Sequence, residues 1–131
     1  SWEIEFVGGM LNQADHRAAG LATIDAIRDA GNRWVFADQL TDGLEPHGAR
    51  WLLVAGDPSP THGVDVTGAP LEAGIASLEA HAAYLAALPD HPPARALITM
   101  VGAMMGKQLG VGHGVLFRAY DFQAPPSFPE E

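Results

Sequence analysis

Stretches of strand character alternating with stretches of helix character over 131 residues predict one α/β layered domain built on a mainly parallel sheet. An apolar run at 50–56 ends on glycine, as a strand buried on both faces of a parallel sheet does. Around it, at about 13–30, 71–85 and 94–109, apolar residues recur at three- and four-residue steps. Hydrophobic residues make up 47% and charged residues 18% of the chain, a globular composition whose length suits one core rather than two.

Taken in order, Glu3 to Val7 alternates acidic with apolar residues like a half-exposed strand, stopped by Gly8 and Gly9. Leu21, Ile24 and Ile27 then mark the buried stripe of a helix from about Gln13 to Ala30, ended by Gly31 and Asn32. "RWVFADQLTDGLEPHGAR" lacks a sustained period and reads as an ordered crossing loop with one helical turn. "RWLLVAG" is the buried strand, "DPSPTHG" a turn and "VDVT" a brief extended piece. Leu71, Ile75, Leu78, Ala82 and Leu85 form one helical stripe ending at "PDHPP". A further helix follows from about Ala94 to Leu109, with Leu97, Val101, Met104 or Met105, and Leu109 inward. Met100, Met104 and Met105 are expected core filler. Gly102 and Gly106, four apart, permit close packing of that helix. "HGVLFRAYDF" is the last strand; the domain spans 1–122 and 123–131 is an acidic tail. No internal repeat is visible.

Seven Lys and Arg against sixteen Asp and Glu give a formal charge of −9, which repels a phosphate backbone and argues against nucleic acid. The longest apolar stretch, 96–106, is about half of the ~20 residues a membrane span needs, so no membrane partner is expected. There is no cysteine, which suits a reducing compartment such as the cytoplasm and leaves His, Asp, Glu and water as metal ligands.

The densest polar cluster is "NQADHR", between the first strand and the first helix. Asn12 is a good N-cap, and Asp15 three residues later can serve as a capping acid, which would leave His16 on the surface of the first turn. The other reading is a ligand site. Gln13 and His16, at i and i+3, share a face at the positive end of the helix, and a strand end, a turn and a helix N-terminus together form the usual ligand crevice of α/β sheets. One imidazole cannot hold zinc alone, because a catalytic zinc takes about three protein ligands and a water.

Residues 11–56 ("LNQADHRAAGLATIDAIRDAGNRWVFADQLTDGLEPHGARWLLVAG"), "THGVDVTG", "LEAHAAYL" and "LGVGHGVLFRAYDF" are similar, in that order, to the second half of the PIG-L/LmbE family of zinc-dependent de-N-acetylases. The likeness covers about residues 3–122 and rests on the order of its landmarks. It implies a Rossmann-like fold and a Zn2+ hydrolase that removes an acetyl group from an N-acetylglucosamine-type substrate, the metal lowering the pKa of its water and polarising the carbonyl. His16 matches the last His of the family's His-Pro-Asp-His motif, a metal ligand; Asp15 matches the Asp that orients it. Gln13 replaces a His and Ala14 a Pro, so Gln13 retains only the capacity to donate a hydrogen bond to an oxyanion. His62 resembles the His ahead of the family's Val-Asp-Val strand and, with Arg17, is a candidate substrate contact.

The family's other metal motif, Ala-His-Pro-Asp-Asp-Glu, has no counterpart in this sequence; "DHPPA" lacks the acids. The start at Ser1 therefore reads as a C-terminal half, inactive unless a missing half, a partner chain or a homo-oligomer completes the site and the sheet. The alternative is a non-catalytic small-molecule binding or assembly module derived from the same fold. Arg33, like Arg17, could reach an anionic substrate group, although a charge on a helix or loop is usually solvated; His47, His81, His91 and His113 read as turn, packing or surface residues.

Overall fold

Gly9, at φ 78°, sits where the chain reverses after its first short strand. The computed structural model describes residues 1–6 and 9–123. Val7 and Gly8, the expected end of that strand, and the tail beyond Gln123 lie outside the described residues. The chain forms two compact units, Ser1–Thr61 with the residues from Phe117 onward, and His62–Leu116.

In the first unit β1 (Glu5–Phe6) pairs antiparallel with β2 (Met10–Leu11), Glu5 opposite Leu11 and Phe6 opposite Met10. Gln13, extended at φ −68° and ψ 151°, leads into α1 (Ala14–Asp29) as its N-cap, without a side-chain capping bond. The expected cap, Asn12, is instead buried. Its side-chain amide donates to the carbonyl oxygens of Ser1 and Glu3 at 2.9 and 3.0 Å, tying down the N-terminal segment. α1 ends where Ala30 N–H returns to Ala26 O and Asn32 N–H to Asp29 O, one residue ahead of the expected Gly31 stop. The crossing segment holds one helical turn, α2 (Asp38–Thr41), and leads to β3 (Trp51–Ala55).

β3 overturns the expected parallel, Rossmann-like sheet. It pairs antiparallel with the last strand, which is numbered β5 (Gly114–Asp121), from Trp51 opposite Asp121 to Ala55 opposite Phe117. With β4 (His62–Asp65) the strand order is β3-β5-β4, and no described strands run parallel. Nor is β3 buried on both faces. Leu52 and Val54 point inward while Trp51, Leu53 and Ala55 stay exposed. The error has a physical origin: a short apolar run records how much nonpolar surface a strand has, and strand direction is set by which partner returns beside it.

In the second unit α3 (Ala69–Glu79) packs on α5 (Ala94–Leu109), burying Leu71 and Ile75 on one side and Ala94, Gly102 and Met105 on the other. Ile75 is 1% exposed. The single expected helix over 71–85 is broken after Glu79, and α4 (Ala82–Ala87) starts anew. At the break His81, at φ −82° and ψ 46°, points Nδ1 at the Ser77 carbonyl oxygen at 2.8 Å. α5 keeps its expected bounds, but of the three methionines only Met105 is buried; Met100 and Met104 are exposed.

Gly102 and Gly106 do allow close packing, of a helix and of a turn: a Cβ on Gly102 would meet Leu71 Cδ1 of α3 at 3.4 Å. A Cβ on Gly106 would lie 2.8 Å from both His113 Cα and the Val111 carbonyl oxygen, and one on Gly102 would touch the His113 ring at 3.4 Å. Among the described residues no helix is long and apolar enough to cross a membrane.

Candidate functional site

The carboxyl end of β3 gathers most of the chemistry of the first unit. Ala55 ends the strand, and Gly56 turns at φ 70° with the Phe6 ring so close that an added Cβ would fall 2.1 Å from its Cε2. Asp57 follows with its side chain fully buried. Its Oδ1 accepts the Ser59 N–H at 2.9 Å and lies 3.9 Å from Nη1 of Arg118, which is also 3.9 Å from Glu3. The second oxygen, Oδ2, is buried with no hydrogen-bond partner, and so is Oδ1 of Asn12. Buried oxygens normally find a donor, and such exceptions are where polar sites are sought.

A groove of about 350 Å³ runs from Ser1 and Trp2 along Leu52 to Ala55 of β3, and His16, Ala19, Gly20 and Thr23 of α1 form its other wall. The pairing follows from sequence: Ala19 and Gly20 are small, so α1 leaves room on this side. A Cβ on Gly20 would come 3.0 Å from the backbone of Ser1 and Trp2. His16 stands at the first-turn end of this wall, exposed, with no hydrogen bond or ion pair among the described residues.

The other residues singled out by sequence are placed differently. Gln13 and Asp15 are exposed, and no hydrogen bond joins Asp15 to His16. Arg17 turns its Nη1 back onto the Asn12 carbonyl oxygen, so its guanidinium braces the start of α1. His62 lies on β4 and belongs to the second unit, whereas His16 belongs to the first. Among the described residues no three His, Asp or Glu side chains converge as a metal site requires.

Asp57, Arg118 and Glu3 were not singled out from the sequence. "GDPSP" carries a turn signature, and that masked a carboxylate whose burial depends on residues 54 to 61 positions away.

A second polar cluster clasps the 65–67 turn of the second unit. Thr67 N–H donates to Asp65 Oδ1 at 2.8 Å, and His113 N–H donates to Thr67 Oγ1 at 2.9 Å. The Thr67 hydroxyl and then its N–H hold the Asp65 carboxyl below its ordinary pKa, helped by His113 and opposed by partial desolvation. The His113 ring buries Nδ1 without a partner.

No protein-family model matches the sequence, and no curated protein matches it.

Proposed function

We propose that this chain is the C-terminal portion of a metal-dependent hydrolase that removes an acetyl group from an N-acetylglucosamine-type sugar. His16 is its contribution to the metal site. The observation that supports this reading is the position of His16. It is an unpartnered imidazole on the first turn of a helix, at the wall of a groove that reaches Val54 and Ala55 at the end of a strand.

One imidazole does not fit zinc by itself, so the residues here form only part of the site, and the remaining ligands belong to polypeptide bearing an Ala-His-Pro-Asp-Asp-Glu motif. The chain's own residues then have limited parts. Gln13, exposed at the N-cap, can donate its amide N–H to a developing oxyanion, and His16 presents a ring nitrogen. The formal net charge of −9 favours a neutral or cationic sugar over a polyanion. The proposed setting is the cytoplasm, where a chain without cysteine has no disulfide to maintain.

The test is to produce the chain together with polypeptide carrying that motif and to measure acetate released from N-acetylglucosamine conjugates. His16→Ala is expected to lower the rate by about a hundredfold or more, with zinc content falling in parallel. Undiminished zinc and acetate release in that variant would overturn the proposal.

The assembly reading draws on a different observation. α1 has no buried residue, Leu21 on its apolar stripe is 52% exposed, and β3 presents Trp51 and Leu53 outward at an edge of its sheet. Light scattering that finds a stable oligomer unaffected by His16→Ala would favour it.

A further inference from the structure

Positive charge is scarce in this chain, seven Lys and Arg in all, yet two of the seven border one recess. It opens at the carboxyl end of α1, the end away from His16, and its volume of about 590 Å³ lies within the range of roughly 300–1,000 Å³ usual for small-molecule sites. Arg28, Arg33 and His47 supply its cationic and imidazole groups, and Trp34 and Phe122 supply its rings.

We propose that this recess binds a small anion carrying a flat ring, of the nucleoside monophosphate class, with the phosphate on the two guanidiniums and the ring on Trp34. Three features support the assignment. Trp34 is 90% exposed, although an indole ordinarily hides most of its surface. Its backbone N–H is tied to Asn32 Oδ1 at 3.0 Å, which steadies the residue while its ring stays available for stacking. The Arg28 guanidinium lies over Phe122, 5.4 Å from the ring centroid, so its charge is oriented in advance.

Two opposing effects are weaker. Arg33 is paired with Glu45 at 3.5 Å, but the side chains are 62% and 80% exposed, so solvent screens the pair and a phosphate can displace it. The carboxyl end of α1 carries about half a negative charge. Its carbonyls at Ala26, Asp29 and Ala30 are already taken by the N–H groups of Ala30, Asn32 and His47, and two guanidiniums outweigh that half charge. Two guanidiniums and one exposed ring match a monophosphate, whereas a longer polyanion is opposed by the net charge of −9.

The site is remote from His16 along α1, so this proposal and the hydrolase reading fail independently. The experiment is calorimetry on the 131-residue chain with AMP, inorganic phosphate and adenosine as probes. AMP is expected to bind at least about tenfold more tightly than either fragment, and Arg28→Gln and Arg33→Gln each to weaken it about tenfold. Trp34→Ala should reduce AMP to the affinity of phosphate, and Glu45→Gln, by freeing Arg33, should strengthen AMP about threefold. The Arg33 and Glu45 variants alter only exposed side chains, so they decide the matter even if Arg28→Gln disturbs the fold. AMP binding no tighter than phosphate, or unchanged in both Arg33→Gln and Glu45→Gln, overturns the proposal.

Discussion

On α3, Leu71 and Ile75 leave solvent against α5, while α1, a longer helix with a comparable stripe of Leu21, Ile24 and Ile27, buries none of its residues. The second unit is held by nonpolar packing, with Gly102 and Gly106 bringing the 111–113 turn onto the helix. The first unit buries Leu52 and Val54, but two polar residues, Asn12 and Asp57, are hidden as thoroughly. The difference teaches where chemistry resides in this molecule. Apolar packing dominates the second unit; hydrogen bonds and tight turns shape the first, where the oxygens of Asn12 and Asp57 are buried without donors.

The contrast can be broken most forcefully at Ile75. Truncation to Ala should cost about 2–5 kcal/mol, as burial this complete demands, whereas Leu21→Ala should stay within about 0.5 kcal/mol. Urea midpoints of the two variants, read at constant m, check the pair; equal losses would erase the distinction between the units. A smaller effect is expected at Gly56→Ala, about 1–3 kcal/mol, because φ 70° disfavours any side chain and the new Cβ meets Phe6. Loss of the β3 end should also release the groove beside His16, which Trp2 fluorescence would report.

The smallest effect sharpens the comparison through pH. The folded-state pKa of Asp65 lies below its ordinary value of 3.8, so its contribution to stability is present above that value and disappears as pH falls through the lower, folded one. Asp65→Asn should therefore be slightly less stable than the wild type near neutrality and converge with it in acid. A gap between the two that widened on acidification would contradict the Thr67 clasp. Glu72, depressed by its bidentate pair with Arg95 at 2.9 and 2.7 Å, follows the same sign.

Much of the secondary structure was legible because periodicity is local. α5 kept both bounds, and the stripe over 71–79 and the run at 51–55 became α3 and β3. The break at Ala80–His81 was not legible, since a ring nitrogen meeting the Ser77 carbonyl competes with helix continuation without disturbing the apolar spacing. At the candidate site the sequence indicates the helix start to within one residue, but not the hairpin strand at Met10–Leu11 nor the residue at the cap. Asn12 is the better cap by type, and only the approach of Ser1 and Glu3 to its amide takes it away from the helix end.

From its order of residues alone, this protein was committed to acidic character, to helices over about 13–30 and 94–109, and to an imidazole in the first turn of the first of them. Those properties depend on neighbours a few positions apart, which chain connectivity guarantees. Tertiary structure decided that the sheet is antiparallel, that Asp57 is sealed from water and that Phe122 closes a recess with Arg28, Arg33 and Trp34. Each depends on segments far apart in the chain meeting in space, and the free energy of such meetings is written in no single stretch of sequence.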